Sequence, residues 1–364
     1  MTTSWQRLIS GQSGIRQQQL FAFAPQPIAL IDRQPAQLTP LIQTVVKAAL
    51  EDAGLVPPLL ECGVVVGSSR SYQASWEQLS RGMHGKDTPP SPVYWLDTLP
   101  HMSAIATARQ VGANGPVLAP MAACATGIWA IAQGFELIQT RQCQRVIVGA
   151  VEAPITPLTV TGFQQMRALA ATGAYPFDCR REGFVLGEGA AILVLESAQL
   201  ASRRSAPVYG QVLGFGLTSD AYHQIALEPK GGSAIAAVKQ CLDRSNLRTT
   251  DIDYIHAHGT ATRLNDSHEA QLIRHLFPQG VAVSSTKGAT GHTLGASGAI
   301  GVAFCLMALK HQLLPPCVGL QEPEFDLDLV TAPQSAQIGS ILCFSFGFGG
   351  QNAVVALFRE KTDA

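Results

Sequence analysis

Cys124 stands in Pro120-Met121-Ala122-Ala123-Cys124-Ala125-Thr126-Gly127-Ile128-Trp129, where small residues give way to a helix-compatible run over 128–137. A thiol at or just inside a helix N-terminus meets unpaired backbone N–H groups and the positive end of the helix dipole, and both favour the thiolate. The local sequence marks Cys124 as a candidate nucleophile; the plain alternative is a cysteine that fills a core. A catalytic cysteine needs partners from distant parts of the chain. His258 follows the apolar stretch 254–257 and precedes Gly259-Thr260-Ala261-Thr262, at the carboxyl end of an expected strand, where α/β folds place their sites. His292 sits in Ser284-Ser285-Thr286-Lys287-Gly288-Ala289-Thr290-Gly291-His292-Thr293-Leu294-Gly295, a loop of small residues carrying the single lysine Lys287. One cysteine can hold an acyl group as a thioester, and two imidazoles can donate hydrogen bonds to an enolate oxygen formed opposite it. Lys287 adds positive charge. The stretch Phe346-Gly347-Phe348-Gly349-Gly350-Gln351-Asn352 lets backbone approach a substrate and can supply an N–H to an oxyanion hole. His256, His268 and His275 read as ordinary histidines.

The elements that must position these residues come in two sets. Residues 41–55 have helical periodicity, stop at Gly54, and lead through Pro57-Pro58 to the apolar strand 63–67. Residues 234–247 have the same form, stop at Asn246, and lead to a strand over 254–259. Val46-Lys47 falls on Val238-Lys239, Leu50 on Leu242, Gly54 on Asn246 and Gly67 on Gly259, each at 238 − 46 = 192 residues. Gly and Asn share the left-handed conformation that ends a helix. Each set continues with a small-residue turn, a helix and a buried strand: 122–127, 128–139 and 145–149 in the first, 290–297, 298–309 and 341–345 in the second. Unalternating apolar strands need cover on both faces. This predicts two duplicated α/β halves, 1–195 and 196–364, packed face to face with helices between and outside their sheets. Residues 177–189, rich in glycine and charge, predict a tight buried loop ahead of the strand 190–196. Residues 68–102, with Pro89, Pro90 and Pro92, read as an excursion serving as a cap or subunit contact.

The 364 residues are 46% hydrophobic and 14% charged with a net charge of −1, enough for a large core and without the basic footprint of a nucleic-acid or membrane-surface binder. Residues 1–15 carry no apolar signal core, and no stretch approaches about 18 uninterrupted apolar residues. A soluble cytoplasmic protein is expected. Eight cysteines without ligand spacing read as reduced thiols, with no metal site and no cofactor indicated.

Ala123-Cys124-Ala125-Thr126-Gly127, Phe184-Val185-Leu186-Gly187-Glu188-Gly189, His258-Gly259-Thr260-Ala261-Thr262 with Asp266 and Glu269, Lys287 with Gly291-His292-Thr293-Leu294-Gly295-Ala296, and Gly347-Phe348-Gly349-Gly350 occur in this order over about residues 5–357. The chain resembles the elongating β-ketoacyl-ACP synthases, among the thiolase-like condensing enzymes. The resemblance implies a thiolase-like five-layer αβαβα sandwich and a Cys-His-His site. Cys124 takes the acyl chain from an acyl carrier protein; His258 and His292 promote decarboxylation of carrier-bound malonate and stabilise the enolate; Lys287 supports the histidines. It implies further that Thr260 and Thr262 contact the phosphopantetheine arm, that the N–H groups of Cys124 and Phe348 form the oxyanion hole, and that Phe348 gates the two substrates. The partners implied are acyl carrier protein and a second subunit, in a homodimer or in a heterodimer with a paralogous ketosynthase.

The chain departs from the family in four places. A glycine-bearing first strand is expected ahead of the segment matching 4–15, so a sheet strand is missing. The family glutamate nine residues beyond the second histidine falls on Gly301, which leaves Lys287 less well held. Asn265 precedes Asp266 where glycine is usual, and the connection 166–175 is short. These features also fit a chain-length-factor-like subunit, which shapes the acyl tunnel beside a ketosynthase without catalysis, in a type II polyketide or aryl-polyene system; such subunits usually lose the cysteine kept here. A degradative thiolase would use a late cysteine as base, but Cys343 precedes Gly347-Phe348-Gly349-Gly350 instead of standing in a Cys-Gly-Gly turn.

Overall fold

Continuous apolar strands need cover on both faces, and helices supply it in the computed structural model of the chain, which describes residues 1–84 and 92–359. In the first half, α1 (Leu38–Asp52) leads to β1 (Cys62–Gly67), α2 (Met102–Val111) to β2 (Val117–Leu118), and α3 (Thr126–Gln139) to β3 (Arg145–Glu152) and β4 (Gly189–Glu196). Their sheet has the order β2-β1-β3-β4, with β1 parallel to β2 and β3, and β4 antiparallel to β3. In the second half come β5 (Gln211–Ser219), α4 (Gly232–Ser245), β6 (Tyr254–His256), α5 (Arg263–Leu276), β7 (Ala282–Ser284), α6 (Ser297–His311), β8 (Asp328–Leu329), β9 (Ser340–Gly347) and β10 (Gln351–Phe358). Here the order is β8-β7-β6-β9-β10-β5, with β6 parallel to β7 and β9, and β10 antiparallel to β9 and β5.

The two sheets repeat one pattern of parallel and antiparallel pairs, and the repeat extends to how helices end. Gly54 after α1 and Asn246 after α4 both take left-handed backbone, at φ +63° and +52°. Side chains of α1 and α2 (Ile42, Val46, Ala104, Val111) pack on the outer face of the first sheet, and those of α4 and α5 (Val238, Leu242, Ile273) on the outer face of the second. Between the sheets lie α3 and α6, whose Ile128, Ile131, Val302 and Ala308 join Val146, Val148, Ile341 and Val355 in the largest core, shared by both halves. The two central helices nearly touch. A Cβ on Gly127 would lie 2.4 Å from the backbone nitrogen of Ala299, so Gly127→Ala forces the layers apart. This is the expected five-layer thiolase-like sandwich.

Three expectations are refined. The strand expected over 254–259 ends at His256, because 257–262 leaves the sheet as a loop over the site. The excursion 68–102 contains an amphipathic helix, Gln73–His84, and a 3₁₀ turn, Pro92–Thr98; Pro89 and Pro90 lie outside the described residues. The first sheet has no counterpart of β5 among the described residues, as the missing strand implied. Within those residues, Leu294–His311 is the one helical stretch long and apolar enough to cross a membrane, and most of it is buried between the sheets.

Candidate functional site

Cys124 sits just before α3, whose cap is Ala125, and not inside the helix. Ala123 holds a left-handed φ of +47°, a strained setting for a residue with a Cβ, and it turns the thiol off the helix axis into the molecule. The turn is pinned by its neighbours: the Ala122 amide donates to Thr126 Oγ1 at 2.9 Å, Thr126 Oγ1 to the Ala123 carbonyl at 2.7 Å, and Ser345 Oγ to the Cys124 carbonyl at 2.9 Å. The expected dipole-stabilised thiolate is not the resting form. Burial pushes the Cys124 thiol up to about 11, and the charges of Lys287 and Arg70 with the Phe348 N–H only partly offset it. The protonated thiol has an acceptor at once, because His292 Nε2 lies 3.2 Å from Cys124 Sγ.

His292 is fixed from its other side, where Nδ1 lies 2.9 Å from Ser297 Oγ, the first residue of α6. With Nδ1–H donated to Ser297, Nε2 is left to accept from the thiol. His258 is held by Glu269 on α5, whose carboxylate accepts the His258 and Gly259 amides at 2.5 and 2.7 Å. Lys287 Nζ lies 3.4 Å from His258 Nδ1 and also donates to the His258 carbonyl. An ammonium facing Nδ1 puts the ring proton on Nε2, which makes His258 a donor into the pocket. The two rings stand 5.4 Å apart, edge to face. Burial first, and Lys287 second, keep both imidazoles well below their ordinary value, so both are neutral near pH 7. Burial likewise lowers Lys287.

Asn265 has a use that the sequence did not foretell. Its Nδ2 donates to Asp266 Oδ1 at 3.1 Å and Glu269 Oε2 at 3.2 Å, bridging two buried carboxylates where glycine would offer nothing. Asp266, pushed up to about 6 mainly by burial, also accepts the Phe177 amide at 2.8 Å and so ties the glycine-rich loop to α5.

Phe348 is half-buried against Phe163, with ring centroids 6.3 Å apart, and its N–H reaches the Cys124 sulfur. A Cβ at Gly347 would meet Cys124 N at 3.0 Å, so this close approach of β9 to Cys124 needs glycine there. Thr260 and Thr262 stand at the site's edge with hydroxyls 2.9 Å apart, and Thr262 caps α5 by accepting the Asn265 amide. All seven residues singled out, Cys124, His258, His292, Lys287, Phe348, Thr260 and Thr262, therefore belong to one region. Sequence reasoning missed Ser297, Glu152, whose buried carboxylate accepts the amides of Ser69 and Arg70, and the aromatic wall of Phe163 and Phe184. A lone glutamate ending the apolar strand β3 was the available signal. Among the described residues, two trios have donor atoms within 4.8 Å, near enough to hold a metal ion: Cys124-His258-His292 and His256-Cys305-Cys343. Sequence spacing gave no sign of either.

The chain's similarities agree with this geometry. Residues 1–201 match the family model for the β-ketoacyl synthase N-terminal domain, and 209–321 that for its C-terminal domain. The tetracenomycin polyketide synthase ketoacyl synthase alpha subunit of Streptomyces glaucescens is 33% identical, over 98% of this chain and 93% of its own. The 3-oxoacyl-[acyl-carrier-protein] synthase 2 of Staphylococcus aureus is 36% identical, over 80% of this chain and 75% of its own. A type II polyketide ketosynthase, solved with its acyl-carrier protein, superposes with a TM-score of 0.92 at 26% identity, over 98% of this chain and 94% of that one. A ketosynthase solved with its chain length factor, from Xenorhabdus doucetiae, does so with a TM-score of 0.81 at 27% identity, over 98% and 93%.

Proposed function

The chain belongs to the β-ketoacyl synthases, and from that premise we propose that it condenses carrier-bound malonate with an acyl chain held on Cys124, in fatty acid or type II polyketide synthesis. The observation that carries this is the 3.2 Å contact between Cys124 Sγ and His292 Nε2, with a second donor imidazole at 5.4 Å. In the first step the Cys124 sulfur attacks the acyl thioester of the carrier, its proton passes to His292 Nε2, and as the bond from the acyl carbon to the carrier sulfur breaks that proton goes on to the departing carrier thiol. The Cys124 and Phe348 N–H groups face the oxyanion. In the second step malonyl carrier loses CO₂, and the electron pair of the broken C–C bond enters an enolate whose oxygen accepts from His258 Nε2–H and from His292 in its other tautomer, with the proton on Nε2 and Nδ1 accepting from the Ser297 hydroxyl. The enolate carbon attacks the Cys124 thioester, the C–S bond breaks, a 3-ketoacyl carrier leaves, and the Cys124 thiolate takes a proton from water to regain its resting thiol. Lys287 fixes the His258 tautomer; Thr260 and Thr262 receive the phosphopantetheine arm; Phe348 separates the two substrates. No cofactor enters beyond that arm.

Acyl carrier protein and a second subunit are the partners, and the β2 edge with exposed Leu118 and Met121 offers that subunit an apolar surface. A cytoplasmic location belongs to the same reading. The test is incubation of the purified chain, alone and with a paralogous ketosynthase, with acyl-ACP and malonyl-ACP. A mass increase on Cys124 and release of CO₂ are expected from the chain itself. Absence of both, with solubility that depends on the partner, would assign the chain to the chain length factors found beside ketosynthases.

A further inference from the structure

Two strands and a helix converge on a second cluster of side chains that the proposed reaction does not use. His256 on β6 and Cys343 on β9 are register partners on adjacent parallel strands, and Cys305 joins them from α6. A ring nitrogen of His256 and the sulfurs of Cys305 and Cys343 all lie within 4.8 Å of one another, and all three residues are buried. Donor atoms of these kinds bind soft metal ions, and here strands and a helix, not loops, hold them together.

The imidazole is turned for such a role. His256 Nε2 lies 3.1 Å from the hydroxyl of Thr286, and Nδ1 lies 3.7 Å from Cys343 Sγ. With the ring proton on Nε2 and donated to Thr286, Nδ1 turns a lone pair toward the thiol. Metal-bound histidines are oriented in this way, by an outward hydrogen bond from the other ring nitrogen. The span from Nδ1 to Sγ also suits one ion held between them: bonds of about 2.0 Å to nitrogen and about 2.3 Å to sulfur set the two atoms roughly 3.5–3.8 Å apart. In the upper trio the 3.2 Å contact of Cys124 Sγ with His292 Nε2 is shorter than that span and fits a hydrogen bond. Gly301 stands one turn before Cys305 on the same face of α6. A Cβ there would lie 3.0 Å from both His256 Nδ1 and Cys343 Sγ, so glycine is what lets the helix carry Cys305 up to the two strand residues.

We propose that His256, Cys305 and Cys343 bind a soft, thiophilic d10 cation, zinc(II) or copper(I), in a structural site beneath the catalytic layer. Binding breaks two S–H bonds, forms two metal–sulfur bonds and one metal–nitrogen bond, and releases two protons to solvent, with no change of oxidation state. Two thiolates and an imidazole favour such ions over magnesium, calcium or manganese, which take oxygen ligands. Two thiolates also neutralise a divalent ion where burial makes net charge costly. The ion ties the strand that leads to His258, two residues beyond His256, to the strand that leads to Phe348, five residues beyond Cys343. Through Thr286 it also reaches the residue before Lys287. The site does not rest on the proposed condensation.

The test uses the full chain, with its partner if one is required, carrying Cys124→Ser so that the upper trio lacks its thiol. Because the lower trio is buried, the ion is supplied while the protein folds: cells are grown with zinc, copper or cobalt(II) salts, and bound metal is measured after gel filtration in metal-free buffer. About one zinc or copper ion per chain is expected, and the salt that prevails when both are supplied identifies which of the two the site takes. Cobalt(II) in its place should show intense near-ultraviolet thiolate-to-metal charge transfer. Adding Cys305→Ala or Cys343→Ser should bring metal to background and abolish those bands. Thr286→Val, which leaves all three ligands in place, should weaken retention against a chelator by roughly tenfold or more. Cys124→Ser that takes no metal from any of the three salts overturns the proposal, as does metal content unchanged by Cys305→Ala and Cys343→Ser. If the ion is bound but the chain with Cys124 intact neither acylates nor decarboxylates, the condensation reading fails and the metal site stands.

Discussion

The two halves build the same turn and use it differently. Three residues before α3, Ala123 has φ +47°; three residues before α6, Leu294 has φ +45°. The next residue is the proposed nucleophile Cys124 in one half and Gly295 in the other, where a Cβ would meet Glu152 Oε1 at 2.5 Å. One left-handed turn aims a thiol, and its duplicate makes room for a buried carboxylate. The sheets differ as well. β10 is flanked by β9 and β5 and is buried along its length, whereas β4 pairs with β3 alone among the described residues and is half-exposed from Ala190 to Glu196. The covering helices record the same asymmetry: Ala237 and Cys241 of α4 are fully buried, while Val45 and Ala49, 192 residues earlier on α1, are half-buried. The half with the six-stranded sheet carries both histidines and the lysine, and the half with the four-stranded sheet carries the proposed nucleophile. The two halves share backbone geometry and differ in the side chains they bring to the candidate site.

This division can be broken first at the nucleophile. Cys124→Ala should abolish acylation, seen as loss of the mass increase with acyl-ACP, and lower turnover by on the order of a thousandfold or more. The histidines should then separate by step. His292→Ala, which removes the acceptor for the Cys124 proton, should slow acylation as well as condensation; His258→Ala should leave acylation nearly intact and cut malonyl-ACP decarboxylation by about a hundredfold. Equal loss of acylation in both variants would erase the assignment of roles.

Communication between the halves shows in pH dependence. With the Cys124 thiol pushed up to about 11, its thiolate fraction grows tenfold per pH unit below that value, so alkylation by iodoacetamide should still be rising well above neutrality. Lys287 lowers this thiol, so Lys287→Ala should slow alkylation at a given pH by roughly tenfold. A plateau near neutral pH would mean that the helix start, and not burial, governs the sulfur.

The sheets give a smaller contrast in stability. Val355→Ala on β10 should cost about 2 kcal/mol in urea unfolding, and Val194→Ala on the half-exposed β4 about 1 kcal/mol, because less apolar surface leaves water there. Equal costs would show that something covers β4 in solution. Asn265→Ala, which removes the bridge between Asp266 and Glu269, should cost a similar amount, about 1 kcal/mol, in the same measurement while sparing acylation.

Sequence by itself determined the duplication, the helix stops at Gly54 and Asn246 and the choice of Cys124, His258, His292 and Lys287 as candidates, because periodicity and turn chemistry are local properties of consecutive residues. The three-dimensional fold alone decided the rest. Whether Cys124 is ionised depends on how deeply it is buried with Phe163, Phe184 and Leu294, and burial reversed what its helix start suggested. Ser297, Glu152 and the Cys343–His256 pair act across strand registers or turns that no spacing encodes. Gly301 looked like a loss in the sequence because the ring that fills its space comes from β6, 45 residues earlier. Propensity is written along the chain, but desolvation and complementarity of volume exist only once its distant parts are packed together.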